Sequence, residues 1–185
     1  MRVIGLCGKA GAGKGTVAEM MREYYTERLS RGESAVFPLA YELKRIAKQC
    51  FDWDGQKDKK GRRLLQVLGT EAGRMYGGDN FWVEKWHHQV IHWERNHINI
   101  STDNIDFQPL VICDDVRFDN EAEYMKENLN ATIYHITGRA YELGENSTHP
   151  SELGVDHSLI DYTICNSGTM EELRTSIEII VRGWK

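Results

Sequence analysis

The residues with the clearest chemical purpose run from Gly8 to Thr16, in the order Gly-Lys-Ala-Gly-Ala-Gly-Lys-Gly-Thr. Gly8 and Gly13, with four residues between them, leave a loop whose backbone N–H groups can turn inward around a polyphosphate. Side chains at Gly11 and Gly13 would obstruct that turn. Lys14 follows at once and supplies a mobile positive charge for the β- and γ-phosphates. The hydroxyl residue that usually follows the lysine is displaced by one, because Gly15 stands there and Thr16 comes next. The apolar run Val3-Ile4-Gly5-Leu6-Cys7 before the loop and a helical pattern after it place the loop between a strand and a helix. The helix N-terminus and its dipole then add to the attraction for an anion.

A second constellation is Asp114-Asp115-Val116-Arg117, at the end of the continuous apolar run Leu110-Val111-Ile112-Cys113. A carboxylate at the carboxyl end of a buried strand commonly holds Mg²⁺ directly or through water. The expected metal-facing pair is Thr16 and Asp114, although spacing alone does not decide which aspartate lies nearer the metal. Arg117 adds a positive charge where anionic phosphates would meet.

A third set lies on the helix after the charged break Lys57–Gly61. At 100° per residue, Arg63, Gln66, Thr70 and Arg74 share one face, and Leu64, Leu65, Leu68, Ala72 and Met75 share the other. Gly69 and Gly73 sit beside the polar face, where a missing side chain would let a ligand approach. Arg63 and Arg74 are therefore expected to face a bound phosphate or base, since a planar guanidinium suits such groups. His87, His88 and His92, among Trp82, Trp86 and Trp93, include an i, i+4 histidine pair with no third ligand at suitable spacing. That argues against a metal site there, and the tryptophans read as core or interface residues.

The elements that must position these groups alternate. Helical patterns cover Thr16 to Leu29, Glu42 to Phe51, the Arg63 segment, and a stretch starting near Asp79-Asn80; another runs from Glu121 to Leu129, with Asp119 as its cap. Strand patterns cover Val3 to Cys7, Ala35 to Leu39, Leu110 to Cys113, Ala131 to Ile136 and Leu159 to Cys165. Thr169 with Glu172 forms a capping box for a last helix. This order predicts an α/β fold, a parallel sheet of five strands flanked by helices, with the ligand site at the carboxyl ends of the strands.

Composition agrees with one such domain over residues 1–185, 41% hydrophobic with three prolines and a net charge of −5. The charge disfavours a general nucleic-acid coat. No early apolar stretch suits a signal peptide or a membrane span, so the expected location is the cytoplasm, with neither membrane nor nucleic acid as partner. Cys7, Cys50, Cys113 and Cys165 form no C-x-x-C pair and read as reduced core residues in a reducing compartment.

Six segments together resemble the bacteriophage deoxynucleoside monophosphate kinases: GLCGKAGAGKGT at 5–16, FPLAYELKRIA at 37–47, GRRLLQVLGTE at 61–71, ICDDVRFDNEAE at 112–123, HPSE at 149–152 and DYTICNSGTMEEL at 161–173. The Gly-Lys-Gly-Thr ending is also that of nucleoside monophosphate kinases of the adenylate kinase type. The resemblance implies a three-layer P-loop kinase fold and a homodimer that transfers the γ-phosphoryl group of ATP, with Mg²⁺, to a deoxynucleoside 5′-monophosphate for DNA precursor synthesis. It implies that Gly11, Gly13, Lys14, Gly15 and Thr16 bind ATP and that Asn166 lies where related kinases seat adenine. Lys44, Arg63, Gly69, Trp82, Asp115, Arg117 and Glu121 fall where the family contacts the monophosphate, and Arg74 joins them from the helical wheel. Lys14, Arg63, Asp115 and Arg117 are the expected catalytic set, with Arg139 as an arginine that closes over the donor. A P-loop kinase of another small phosphate acceptor, of the phosphomevalonate or dephospho-coenzyme A type, would share the loop and a similar arginine set. So would a nucleotide-gated switch, which needs no second anion site.

Overall fold

The computed structural model describes residues 1–29, 32–56, 58–98, 108–138 and 154–184. Arg139 and the segment 149–152 lie outside the described residues. Five parallel strands form one sheet: β1 (Arg2–Cys7), β2 (Ser34–Val36), β3 (Leu110–Cys113), β4 (Thr132–Thr137) and β5 (Tyr162–Cys165), in the order β2-β3-β1-β4-β5. The helices are α1 (Lys14–Glu23), α2 (Tyr41–Phe51), α3 (Lys59–Gln66), α4 (Phe81–Ile98), α5 (Asp119–Leu129) and α6 (Met170–Arg182).

The central strands show why the apolar runs are continuous. Ile4, Leu6, Leu110, Ile112, Tyr134 and Ile136 point to one face, against Val17 and Met21 of α1 and Ile177 and Val181 of α6. Their alternates Val3, Cys7, Val111, Cys113 and Ile133 point to the other, against Val83, Trp86 and Val90 of α4 and Met125 of α5. A period of two therefore feeds two cores from one run, as expected for a parallel sheet covered on both sides. Trp86 belongs to the second core, and its indole N–H donates to the Phe37 carbonyl at 2.6 Å. Burial pushes the Cys7 thiol up to about 11, so it is an inert core group, and Cys113 is buried with it; Cys50 and Cys165, expected in the core, are exposed instead. Among the described residues no helix is long and apolar enough to cross a membrane.

Several boundaries differ from the sequence patterns, each for a local reason. The second strand stops at Val36, because Pro38 has no N–H and the next two, of Leu39 and Ala40, donate to the Asp115 carboxylate at 2.6 and 3.2 Å. Before β5, Asp156 caps a 3₁₀ turn, His157–Leu159, so the strand starts at Tyr162. The helix expected from Thr16 to Leu29 is α-helical only to Glu23 and continues as a wider π turn, Tyr24–Arg28. The Thr169–Glu172 capping box is present. At α5 the backbone N–H groups of Arg117 and Phe118 are met by Glu121, at 2.9 and 3.2 Å, while Asp119 accepts from the Asp156 N–H at 2.7 Å. The cap assigned to Asp119 is therefore supplied by Glu121.

The largest departure lies after α3. From Val67 to Arg74 the helix is π-wound, and one more turn, Met75–Gly77, follows. A π turn holds more residues than an α turn, so a wheel drawn at 100° per residue drifts out of phase beyond Gln66. The apolar face consequently ends at Leu68; Ala72 is exposed and Met75 is 74% exposed. Gly73 is buried against Trp82: a Cβ there would fall 2.5 Å from the indole nitrogen. The gap left at Gly73 thus admits a tryptophan rather than a ligand. Gly73→Ala is expected to lower stability by about 1–3 kcal/mol through overpacking, more than the gain of roughly 0.5–1 kcal/mol that alanine brings to a helix. Urea unfolding of the two proteins measures the sign.

Candidate active site

The loop after β1 has the geometry its glycines call for. Gly8, Gly11 and Gly13 all have positive φ, at 134°, 78° and 95°. At Gly8 a Cβ would also strike the Ile136 carbonyl, 2.4 Å away, and at Gly13 it would strike the Asn166 amide nitrogen, 2.3 Å away. These glycines are therefore needed both for conformation and for close approach. Gly13 is the residue before the first turn of α1, whose N–H groups open toward the loop. The Lys14 ammonium donates to the carbonyls of Gly8 and Lys9, at 2.7 and 3.1 Å, and so lies across the loop. Gly15 and Thr16 are exposed on the first turn.

Asn166 is placed beneath this loop. It is 5% exposed, its side-chain N–H donates to the Ala12 carbonyl at 2.8 Å, and its backbone N–H donates to the Thr137 carbonyl at 2.7 Å. The residue that the resemblance put near the adenine here ties β4, the start of the β5–α6 connection and the loop together.

The adjacent aspartates at the end of β3 face different partners. Asp114 reaches toward the loop: its Oδ2 would lie 3.5 Å from a Cβ on Gly15. Its Oδ1 is buried without a hydrogen-bond partner. Burial, and then the neighbouring Asp115 charge, raise its pKa above the usual carboxylate range, against the pull of Lys44 and Lys14. Asp115 instead binds the Leu39 and Ala40 N–H groups and so fixes the start of α2. A carboxylate with one oxygen orphaned and the other facing Gly15, the residue before Thr16, fits a divalent cation shared with phosphate oxygens, a donor set of hydroxyl, carboxylate and water that asks for few protein ligands. No group of three or more His, Cys, Asp or Glu side chains is arranged for a metal among the described residues.

Beside Asp115 opens a cavity of about 190 Å³ between α2, the α3 helix with its π extension, α4 and the start of α5. Lys44, Gly69, Arg74, Trp82, Asp115, Arg117 and Glu121 all line it, which brings together every expected acceptor residue except Arg63. Leu39, Leu43 and Phe118, which the motif reading did not single out, supply its apolar wall together with Leu65, which the helical wheel had put on the face away from the ligand. The signal was present in the FPLAYELKRIA and ICDDVRFDNEAE segments, but apolar residues there are indistinguishable from core until the packing is known. A larger groove of about 640 Å³ lies between α1 and α6, remote from the loop and the aspartates, and is bordered by acidic and basic side chains of both helices.

Inside the cavity Arg74 and Glu121 form one rigid unit. Their ion pair is 2.7 Å long with side chains 15% and 6% exposed, and the guanidinium lies 4.0 Å over the Phe118 ring. Glu121 is fully occupied, since its other oxygen accepts from the Arg117 and Phe118 N–H groups; burial raises its pKa, and Arg74 and those N–H groups oppose the rise. Trp82 donates its indole N–H to the Gly69 carbonyl at 2.8 Å. Arg63 is not brought to the cavity: its guanidinium pairs with Glu71 at 3.1 Å and is 66% exposed. The histidines find other partners as well. His87 bonds the Tyr124 hydroxyl at 3.0 Å, His92 contacts Asn96 at 3.3 Å, and His88 is exposed.

A loop built for phosphates and a second, charged cavity next to it, separated by Asp114 and Asp115, are the features against which known proteins can be compared. Residues 54–177, which include the whole cavity except Leu39, Ala40, Leu43 and Lys44, match the deoxynucleotide monophosphate kinase family. The chain belongs to that family. It is 28% identical over 109 residues to a deoxynucleoside-5′-monophosphate kinase of Escherichia phage T5, an alignment covering 57% of this chain and 38% of that protein. It is 29% identical over 196 aligned positions to a protein of Acanthamoeba polyphaga mimivirus provisionally named a deoxynucleotide monophosphate kinase, covering 96% of this chain and 94% of that one. Within this kinase family the five-stranded parallel sheet flanked by helices is the expected P-loop arrangement.

Proposed function

We propose that the chain transfers the γ-phosphoryl group of ATP to a deoxynucleoside 5′-monophosphate, giving the diphosphate and ADP. The observation that carries this reading is the pair of anion sites meeting at Asp114-Asp115, one a glycine loop with Lys14 and the other a cavity with Lys44 and Arg117. An acceptor phosphate is already ionised at neutral pH, so no general base is required; the protein must hold two anions in line and offset their repulsion. Lys14 does so on the donor side, and Lys44 and Arg117 on the acceptor side. Arg74, held by Glu121 over Phe118, shapes the cavity wall. Asp115 positions α2, and through it Lys44, rather than accepting a proton. Mg²⁺ held by Thr16 and Asp114 would neutralise charge on the donor phosphates. A homodimer, a cytoplasmic location and an Arg139 that closes over the donor belong to the same proposal.

Arg63 enters as a cation that the acceptor phosphate draws from Glu71, since an exposed ion pair is worth less than about 1 kcal/mol. Arg63→Ala should raise KM for the monophosphate by roughly tenfold, lower kcat less, and leave KM for ATP unchanged. Lysine at this position should rescue only part of the loss, because a point charge does not reproduce a planar two-point contact. Kinetic constants within about twofold of wild type would leave Arg63 as surface charge.

The assay that tests the whole reading is ADP release with and without Mg²⁺ and each common monophosphate, deoxy and ribo. Turnover should require Mg²⁺ and a deoxynucleoside monophosphate together. ATP hydrolysis that proceeds equally without any monophosphate would overturn it.

A further inference from the structure

Accounting for the polar groups of the cavity leaves a short remainder. Asp115 is taken by the Leu39 and Ala40 N–H groups, Glu121 by Arg74 and two backbone N–H groups, and the Trp82 indole by the Gly69 carbonyl. Lys44 lines the cavity together with Asp115, whose neighbour Asp114 faces Gly15, so the charged end of the cavity is the end next to the phosphate loop. The neutral side chains left over are Gln66 and Thr70, which line the cavity and make no side-chain hydrogen bond among the described residues. Both come from the α3 helix where it changes to the wider π winding, with Gly69 between them. The cavity next to them is walled by Leu43 and Leu65, and Leu43 would stand 3.5 Å from a Cβ on Gly69. An apolar slot with two unengaged neutral polar groups and charges at its other end suits a planar heterocycle attached to a phosphate.

Resting on the kinase reading above, we infer that Gln66 and Thr70 are specificity-determining residues that hydrogen-bond the edge of the acceptor base, while the phosphate lies toward Lys44 and Arg117. An amide offers both a donor and an acceptor and can turn over, so Gln66 can meet a keto group, as in guanine O6 or thymine O4, or an amino group, as in adenine N6 or cytosine N4. The Thr70 hydroxyl has the same dual capacity. Such a pair accepts more than one base, and its balance can be tipped by one atom.

Gln66→Glu removes the donor half of the amide without changing its shape. The carboxylate still accepts from an amino group but meets a keto oxygen with repulsion. Any general repulsion of the anionic substrate cancels when bases are compared. The ratio of kcat/KM for dGMP and dTMP to that for dAMP and dCMP should therefore fall by on the order of tenfold. Gln66→Met should weaken binding of all four monophosphates by several-fold and leave binding of deoxyribose 5-phosphate, which has no base, within about twofold of wild type. Gln66 is exposed, so neither change should disturb folding. A keto-to-amino ratio that moves by less than about threefold in Gln66→Glu overturns the assignment, as does an equal loss on deoxyribose 5-phosphate in Gln66→Met. Wild-type chain that phosphorylates none of the monophosphates overturns the kinase reading and this assignment with it, whereas active wild type with base-independent defects overturns this assignment alone.

Discussion

Lys14→Met lowers kcat for phosphoryl transfer by on the order of 10² to 10³-fold, the scale of one lost electrostatic contact to charge that develops in the transition state. The size of the effect follows from position. The ammonium donates to the loop carbonyls of Gly8 and Lys9, which places its charge where a polyphosphate enters the loop. Those two bonds join the lysine to its own loop rather than to the core, and their loss should cost the fold no more than about 1 kcal/mol each. Steady-state ADP release measures the first effect, and a thermal melt of ligand-free protein checks the second. Near-normal kcat in a well-folded Lys14→Met variant would remove the loop from the chemistry.

Asp114→Asn should act in opposite directions on stability and turnover. In the ligand-free protein this carboxylate is partly buried, one of its oxygens has no partner, and Asp115 adds a like charge. Its pKa is raised on folding above 3.8, so the folded state holds the proton more tightly than the unfolded chain does. The sign follows: the contribution of Asp114 is most favourable below about pH 3.8 and declines as pH rises through the higher folded value, leaving a penalty at neutral pH. Asparagine removes that penalty, and Tm at pH 7 should rise. Stability of the wild type relative to the variant should fall with pH across that acidic window. The same substitution takes away the anionic oxygen expected to meet Mg²⁺, and turnover should drop on the order of 10²-fold, with a higher Mg²⁺ concentration for half-saturation. A variant that is both less stable and fully active would show Asp114 to be a structural capping residue. Trading stability for an unpaired charge is what a site waiting for a cation requires.

How far the sequence reaches depends on whether a feature is local. The glycine loop was legible because its backbone needs positive φ within a few residues, and spacing alone states that need. The five strands were legible because each is a short apolar run between breakers, and the capping box at Thr169 because its two partners are three residues apart. Boundaries failed where a group distant in sequence intervened: Asp115, at the end of the neighbouring strand β3, ends β2 by taking the Leu39 and Ala40 N–H groups.

The acceptor cavity shows the same division. Its charged residues could be named from the chain, and all but Arg63 meet in the structure. Three things depended on the tertiary arrangement. Asp114 turns to Gly15 and Asp115 to α2, although the two are adjacent and chemically identical, because successive residues leaving a strand point to opposite sides. Gly73 serves Trp82, because a π winding that no residue pattern announces rotates the face it lies on. Gln66 and Thr70 stand out only after every neighbouring polar group has been paired, and pairing is a property of the packed molecule. The sequence by itself determined which chemical groups the protein has for handling phosphates, since those rest on local backbone needs and side-chain type. Only the folded chain decided which of them face a ligand and which hold one another, because contacts between segments 40 or more residues apart, such as Arg74 with Glu121, are set by how helices pack on the sheet.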